Sequence, residues 1–109
     1  MPFDKSLAER LRALFGGPYI VNEKKMFGGL AFLVNGHMCC GIVGTNLVVR
    51  TGPDAFVYAL ERPHARPMDF TGRPMTGFVY VGPAGYQWDR DLKSWTQLGL
   101  DFVLSQPPK

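Results

Sequence analysis

Two groups of residues in this chain are of types that do chemistry. His37, Cys39 and Cys40 fall within four positions, in the run HMCC. Imidazole and thiolate are the usual zinc donors, and together they make the usual thiol nucleophile and base. The spacing argues against both uses. In a strand the side chains alternate, so His37 and Cys39 should share one face and Cys40 should take the other. A tetrahedral zinc site takes four converging ligands, commonly through a Cys-x2-Cys step. The chain holds two His and two Cys, and its cysteines are adjacent. His64 or a carboxylate would have to join them, and Cys40 would have to turn around. A thiol nucleophile also needs a neighbouring base, and no oxyanion-hole motif accompanies this one. Ser6, Ser94 and Ser105 lie in or beside helical segments, without the Gly-x-Ser-x-Gly elbow of a serine hydrolase. The expectation is no catalytic residue, no metal and no cofactor, with free cysteine filling the core. A thiol- or metal-dependent enzyme using His37 and Cys39 stands as an alternative.

The second group is cationic. Arg66-Pro67-Met68 and Arg73-Pro74-Met75 flank a turn, and Arg62-Pro63 lies upstream. An arginine before proline is pushed to extended backbone, so its side chain projects. Guanidinium groups displayed this way pair with phosphates or carboxylates. Lys24, Lys25, Arg50, Arg66 and Arg73 are therefore the candidate contacts for a partner or an anion, if the fold assembles them. A formal net charge of +3 permits such binding without demanding it. Nucleic acid is the alternative partner. Phe78 and Tyr80 alternate like the base-stacking aromatics of an RNA-recognition strand. The chain opens with a helix, however, and shows no second aromatic motif. Phe78 and Tyr80 read as core or as contacts beneath a helix. Trp88 and Trp95 read as packing residues.

The elements that must carry these residues are legible. Leu7, Leu11, Leu14 and Phe15 make one apolar stripe, which predicts a helix over residues 4–15. Asp4 can cap it, Ser6 and Glu9 offer a capping box, and Gly16-Gly17-Pro18 stops it. Tyr19-Ile20-Val21, Phe27 to Val34, His37 to Val43 and Leu47 to Arg50 read as strands. Asn35-Gly36 is a two-residue hairpin turn. Pro53 suits a first helical position, and Phe56, Val57 and Leu60 mark a short helix that Pro63 ends. Arg62 to Pro67 should be irregular, since its prolines constrain their neighbours. Met68-Asp69-Phe70 and Gly77 to Val81 are strands, and Gly82-Pro83-Ala84-Gly85 is a break. Asp89 or Asp91 starts a last helix, with Leu92, Trp95, Leu98 and Phe102 inward.

Gly28-Gly29 could be a phosphate loop or a bend. A dinucleotide loop runs from strand to helix through Gly-x-Gly-x-x-Gly. Here Leu30-Ala31-Phe32-Leu33 and a hairpin turn follow instead, so no helix N-terminus is there to meet a phosphate. Glycine at such a place marks a bulge, a coil or a close backbone approach.

The chain has 109 residues, 46% of them hydrophobic and 19% charged, which suits one globular domain over 1–109 with an ordered core from 4 to 105. Adjacent cysteines give no disulfide framework. Charges interrupt the N-terminal segment where a secretory leader would be apolar, and no apolar run could span a bilayer. A reduced, cytoplasmic protein with no membrane contact is expected.

Lys25-Met26-Phe27-Gly28-Gly29, the following apolar strand, Asn35-Gly36 and Met75 to Val81 precede a last helix bearing Trp95. This pattern resembles the TfoX/Sxy N-terminal domain family, over nearly the whole chain through Phe102. The resemblance implies an α+β fold of the secretion-chaperone-like class: an antiparallel β-sheet with flanking helices, in the order helix, meander, helix, two strands, helix. It supplies no catalytic residues, and it makes Lys25 to Gly29 a structural signature. Family members regulate bacterial competence and act with the cyclic-AMP receptor protein at promoters. They carry a second, C-terminal domain, whereas this sequence stops at Lys109, so a stand-alone N-terminal domain is expected. The implied function is a small non-enzymatic regulator that binds another protein, with transcription machinery the implied partner. Exposed antiparallel edges add the expectation of a homodimer.

Overall fold

Local sequence sets most of the element ends in the computed structural model, which describes residues 3–15, 21–26, 28–69 and 76–107. Helix α1 spans Lys5–Leu14, and the Asp4 carboxylate accepts from the Ser6 and Leu7 amides at 2.9 and 3.2 Å. Asp4 is thus the N-cap, and Ser6 lies inside the helix, so the Ser6–Glu9 capping box is not what starts it. Strands β1 (Val21–Met26), β2 (Gly29–Val34), β3 (His37–Val43) and β4 (Asn46–Arg50) form an antiparallel meander. Asn35 and Gly36 turn between β2 and β3 with φ of 53° and 86°, as the Asn-Gly pair requires.

Helix α2 (Gly52–Glu61) follows, with Pro53 in its first turn. β5 (Ala65–Pro67) and β6 (Phe78–Val81) complete one sheet in the order β1-β2-β3-β4-β6-β5. All its pairings are antiparallel. A one-turn helix α3 (Pro83–Tyr86) leads into α4 (Asp89–Leu104). The fold is α+β: a six-stranded antiparallel sheet with helices.

The structure revises several expectations. Arg62 to Pro67 is not wholly irregular, because Ala65–Pro67 is a strand and Met68 lies just past it. Proline is tolerated there because β5 is the edge among the described strands, where none of them needs its missing N–H. β1 runs through Lys24-Lys25-Met26, a polar stretch whose pairing with β2 outweighs its weak strand propensity. The glycine-proline break at 82–85 is itself helical, with Pro83 at the first position. The expectations for Gly16 to Ile20, Phe27 and Phe70 to Met75 fall outside the described residues.

The helices pack on one face. Leu7, Leu11, Leu92, Trp95, Leu100 and Val103 meet Phe32, Ile42, Leu47, Val49 and Val79 in the main cluster. Full burial of each large apolar side chain contributes roughly 1.5–3 kcal/mol. The opposite face holds a second cluster of Ala31, Met38, Val48, Met68 and Tyr80, with Phe78 against it. Phe78 and Tyr80 do share a face, but no described helix contributes to that cluster.

Candidate functional site

The thiols come first. Phe32 pairs with Cys40 and Leu33 with Met38, so the register slips by one residue and Cys39 is extra. This bulge breaks the alternation expected for the HMCC run. Cys39 and Cys40 therefore enter the same cluster, and both are 0% exposed. Burial, and then the hydrogen bond with Cys39, push the Cys40 thiol well up. Above them lies Gly99 of α4, where a Cβ would stand 2.7 Å from the Cys39 carbonyl oxygen and 3.0 Å from its Sγ. His37 turns elsewhere: its Nε2 donates to the Pro107 carbonyl at 2.6 Å, pinning the C-terminal segment beside the hairpin. Among the described residues no three His, Cys, Asp or Glu groups cluster as a metal would require.

This burial predicts a measurable pH effect. The folded state keeps the Cys40 proton where the unfolded chain, with a thiol pKa near about 8.5, loses it. The stabilisation is present below the unfolded pKa and is lost as pH rises above it. Stability measured in urea should fall more steeply between pH 8 and 10 than in Cys40→Ala. A thiol reagent should label the native protein only as fast as it opens.

The described basic candidates are not brought together on one surface. Lys24 and Lys25 lie on β1 and Arg66 on β5, at opposite edges of the sheet. Five strand spacings of about 4.8 Å put them roughly 24 Å apart. Lys24 and Lys25 also alternate across the sheet. Arg50 is engaged between two rings, 5.6 Å from the Phe78 centroid and 5.1 Å from that of Phe102. Arg66 lies 5.1 Å from the Tyr80 centroid. Arg73 is outside the described residues. In the Lys25 to Gly29 signature, Met26 pairs with Gly29 across the β1–β2 corner, where Gly28 has a φ of 71°. The doubled glycine therefore builds a corner.

Sequence reasoning passed over a different cluster. Arg62 is the C-cap of α2, and the turn through Pro63 holds His64 at a φ of 69°, in the left-handed region. The His64 carbonyl accepts from the Gly82 amide at 3.0 Å. Gly85 lies beneath, where a Cβ would stand 2.9 Å from that of His64 and 2.5 Å from Val81 Cγ1. Trp95, 1% exposed, donates its indole N–H to the Gly85 carbonyl at 3.2 Å. The Arg62 guanidinium carbon sits 3.6 Å from the Trp95 ring centroid. Burial lowers the Arg62 pKa, against the opposing pull of Asp91. Trp88, read from sequence as a packing residue, is 60% exposed. It and Arg90 help line a cleft of about 320 Å³ over Arg62, His64, Asp91 and Trp95. The Arg62-Pro63 step was visible in the sequence. Its meeting with Trp95 was not, because nothing local links the two positions.

The model of the TfoX N-terminal domain family matches residues 10–103. The chain belongs to the TfoX N-terminal domain family. No curated protein and no solved structure matches it. In this TfoX-type domain the matched span covers β1 to β6, α2, α3, the second half of α1 and nearly all of α4. It thus includes the glycine corner, the buried thiols and the Arg62–Trp95 cleft. No helix among the described residues is long and apolar enough to cross a membrane.

Proposed function

We propose that this TfoX-type domain is a non-enzymatic regulatory module that acts by docking another protein, with transcription machinery the partner class its family suggests. One observation carries the docking half. Val57 and Tyr58, adjacent on the outer face of α2, are 64% and 74% exposed. Phe56, Ala59 and Leu60 of the same helix supply its inward side, so α2 holds its place without the outer pair. An aliphatic and a phenolic side chain side by side on a rigid helix suit an interface anchor, where tyrosine is enriched. The non-enzymatic half draws support from the sealed thiols and from the bond of His37 to Pro107.

The experiment compares wild type with a Val57→Asp, Tyr58→Ala variant. Both positions are exposed, so stability should move by no more than about 0.5 kcal/mol. Partner capture from source-cell lysate should fall at least about tenfold, the loss expected when an interface anchor is removed. Equal recovery of the same partner by both proteins would remove the α2 face from the proposal. Light scattering after size exclusion tests the second copy: a dimer that the variant dissociates would make that partner the chain itself.

A further inference from the structure

The cleft between the end of α2 and the start of α4 gathers polar and aromatic groups that the docking reading does not use. Arg62 sits over the Trp95 ring at 3.6 Å, and its fork of N–H donors makes no hydrogen bond or ion pair among the described residues, although the Asp91 carboxylate is near enough to act on it through space. A half-buried guanidinium ordinarily spends its donors on a partner, and a stacked one presents them pre-oriented to a planar or tetrahedral anion. Arg90 and the exposed His64 add donors on the same lining. His64 is held at positive φ by a turn tied to Gly82. Backbone strain of this kind gathers at ligand clamps. Trp88 adds an exposed indole at the mouth, a stacking surface with no ring partner among the described residues.

We propose that this cleft binds a nucleoside monophosphate group, with Arg62, Arg90 and His64 on the phosphate and Trp88 stacked on the base. Base–aromatic stacking and arginine–phosphate pairing are the two interactions that such a lining offers together. Its 320 Å³ lies at the small end of the range for ligand pockets, enough for one nucleotide unit. Asp91 decides against a bare dianion. It is a carboxylate on the same lining, so it repels unshielded charge and accepts from hydroxyl or amino donors. A nucleoside brings both donor types. The group can come from a free nucleotide or from the phosphorylated end of a single strand, and the chemistry is the same.

The chain's two tryptophans both line this cleft, so its two indole N–H resonances report on binding there. Titration with adenosine 5′-monophosphate should move both resonances saturably. Inorganic phosphate and adenosine should each bind at least tenfold more weakly. Arg90→Ala, at an exposed position, should weaken binding of the monophosphate at least tenfold. Arg62→Lys should do the same, since lysine keeps the charge and loses the planar fork. Trp88→Ala should abolish the preference for the nucleotide over inorganic phosphate. A 5′-phosphorylated oligonucleotide separates the sources: binding tenfold tighter than the mononucleotide points to a strand end, and equal or weaker binding points to a free nucleotide. Indole resonances unmoved by millimolar monophosphate and oligonucleotide would overturn the proposal. So would shifts that persist unchanged in Arg90→Ala and Arg62→Lys.

Discussion

Gly29→Ala should destabilise the protein by about 3 kcal/mol, while the same change one residue earlier costs far less. A Cβ at Gly29 overlaps the backbone carbonyl of Ile42, with Val43 Cα close behind. A backbone oxygen inside a paired strand cannot rotate away as a side-chain tip can. Either β2 and β3 part at this point or the corner before β2 is redrawn. At Gly28 a Cβ meets nothing within 4 Å, so alanine there bears only the left-handed backbone cost of roughly 1–2 kcal/mol. Thermal melting separates the two. At roughly 4–8 °C per kcal/mol for a domain near this size, Gly29→Ala should lower Tm by more than about 12 °C. A Gly29→Ala protein melting as high as Gly28→Ala would show that the second glycine is not wedged against β3. The same pair of variants tests whether the signature works as a corner.

Trp95→Ala should cost more, about 3–5 kcal/mol. Trp95 is among the largest fully buried side chains and sits where α4, α3 and the end of α2 meet. Removing it leaves a cavity in the main cluster, strips the Gly85 carbonyl of its donor and unseats Arg62. Trp95→Phe separates these contributions. It keeps a ring for packing and for Arg62 and loses the indole N–H, so a cost nearer about 1–2 kcal/mol is expected from the lost hydrogen bond and smaller volume. Urea unfolding at neutral pH gives both values. A Trp95→Ala protein within 1 kcal/mol of wild type would mean that α4 is held mainly through Leu92, Leu100 and Val103.

What could be read beforehand follows the range of the interactions. The Asp4 cap, the Asn35-Gly36 turn, Pro53 at the start of α2 and Asp89 at the start of α4 are decided within a few residues of chain. The inward positions Leu92 and Trp95 follow from helical periodicity. Trp88 and Val57 did not follow. Each is a large apolar residue near an apolar stripe, and each faces outward because the neighbouring elements leave that side uncovered. Burial of the thiols followed, but the expected split of Cys39 and Cys40 between two faces did not. A single inserted residue in β3 reverses the alternation, and period-two reasoning cannot detect it.

The sequence alone determined an α+β chain with a hairpin-built antiparallel sheet, three of the four described helices, free cysteines and a family signature at Lys25 to Gly29. Those features rest on backbone preferences and short-range spacing. Tertiary structure alone decided that Lys24 and Arg66 stand at opposite edges of the sheet, that both thiols are sealed beneath α4, and that Arg62 lies on Trp95 beside an open indole. The physical reason is strand order and helix placement. These bring together side chains that share no local interaction, and the energy that fixes them is the burial of one common core.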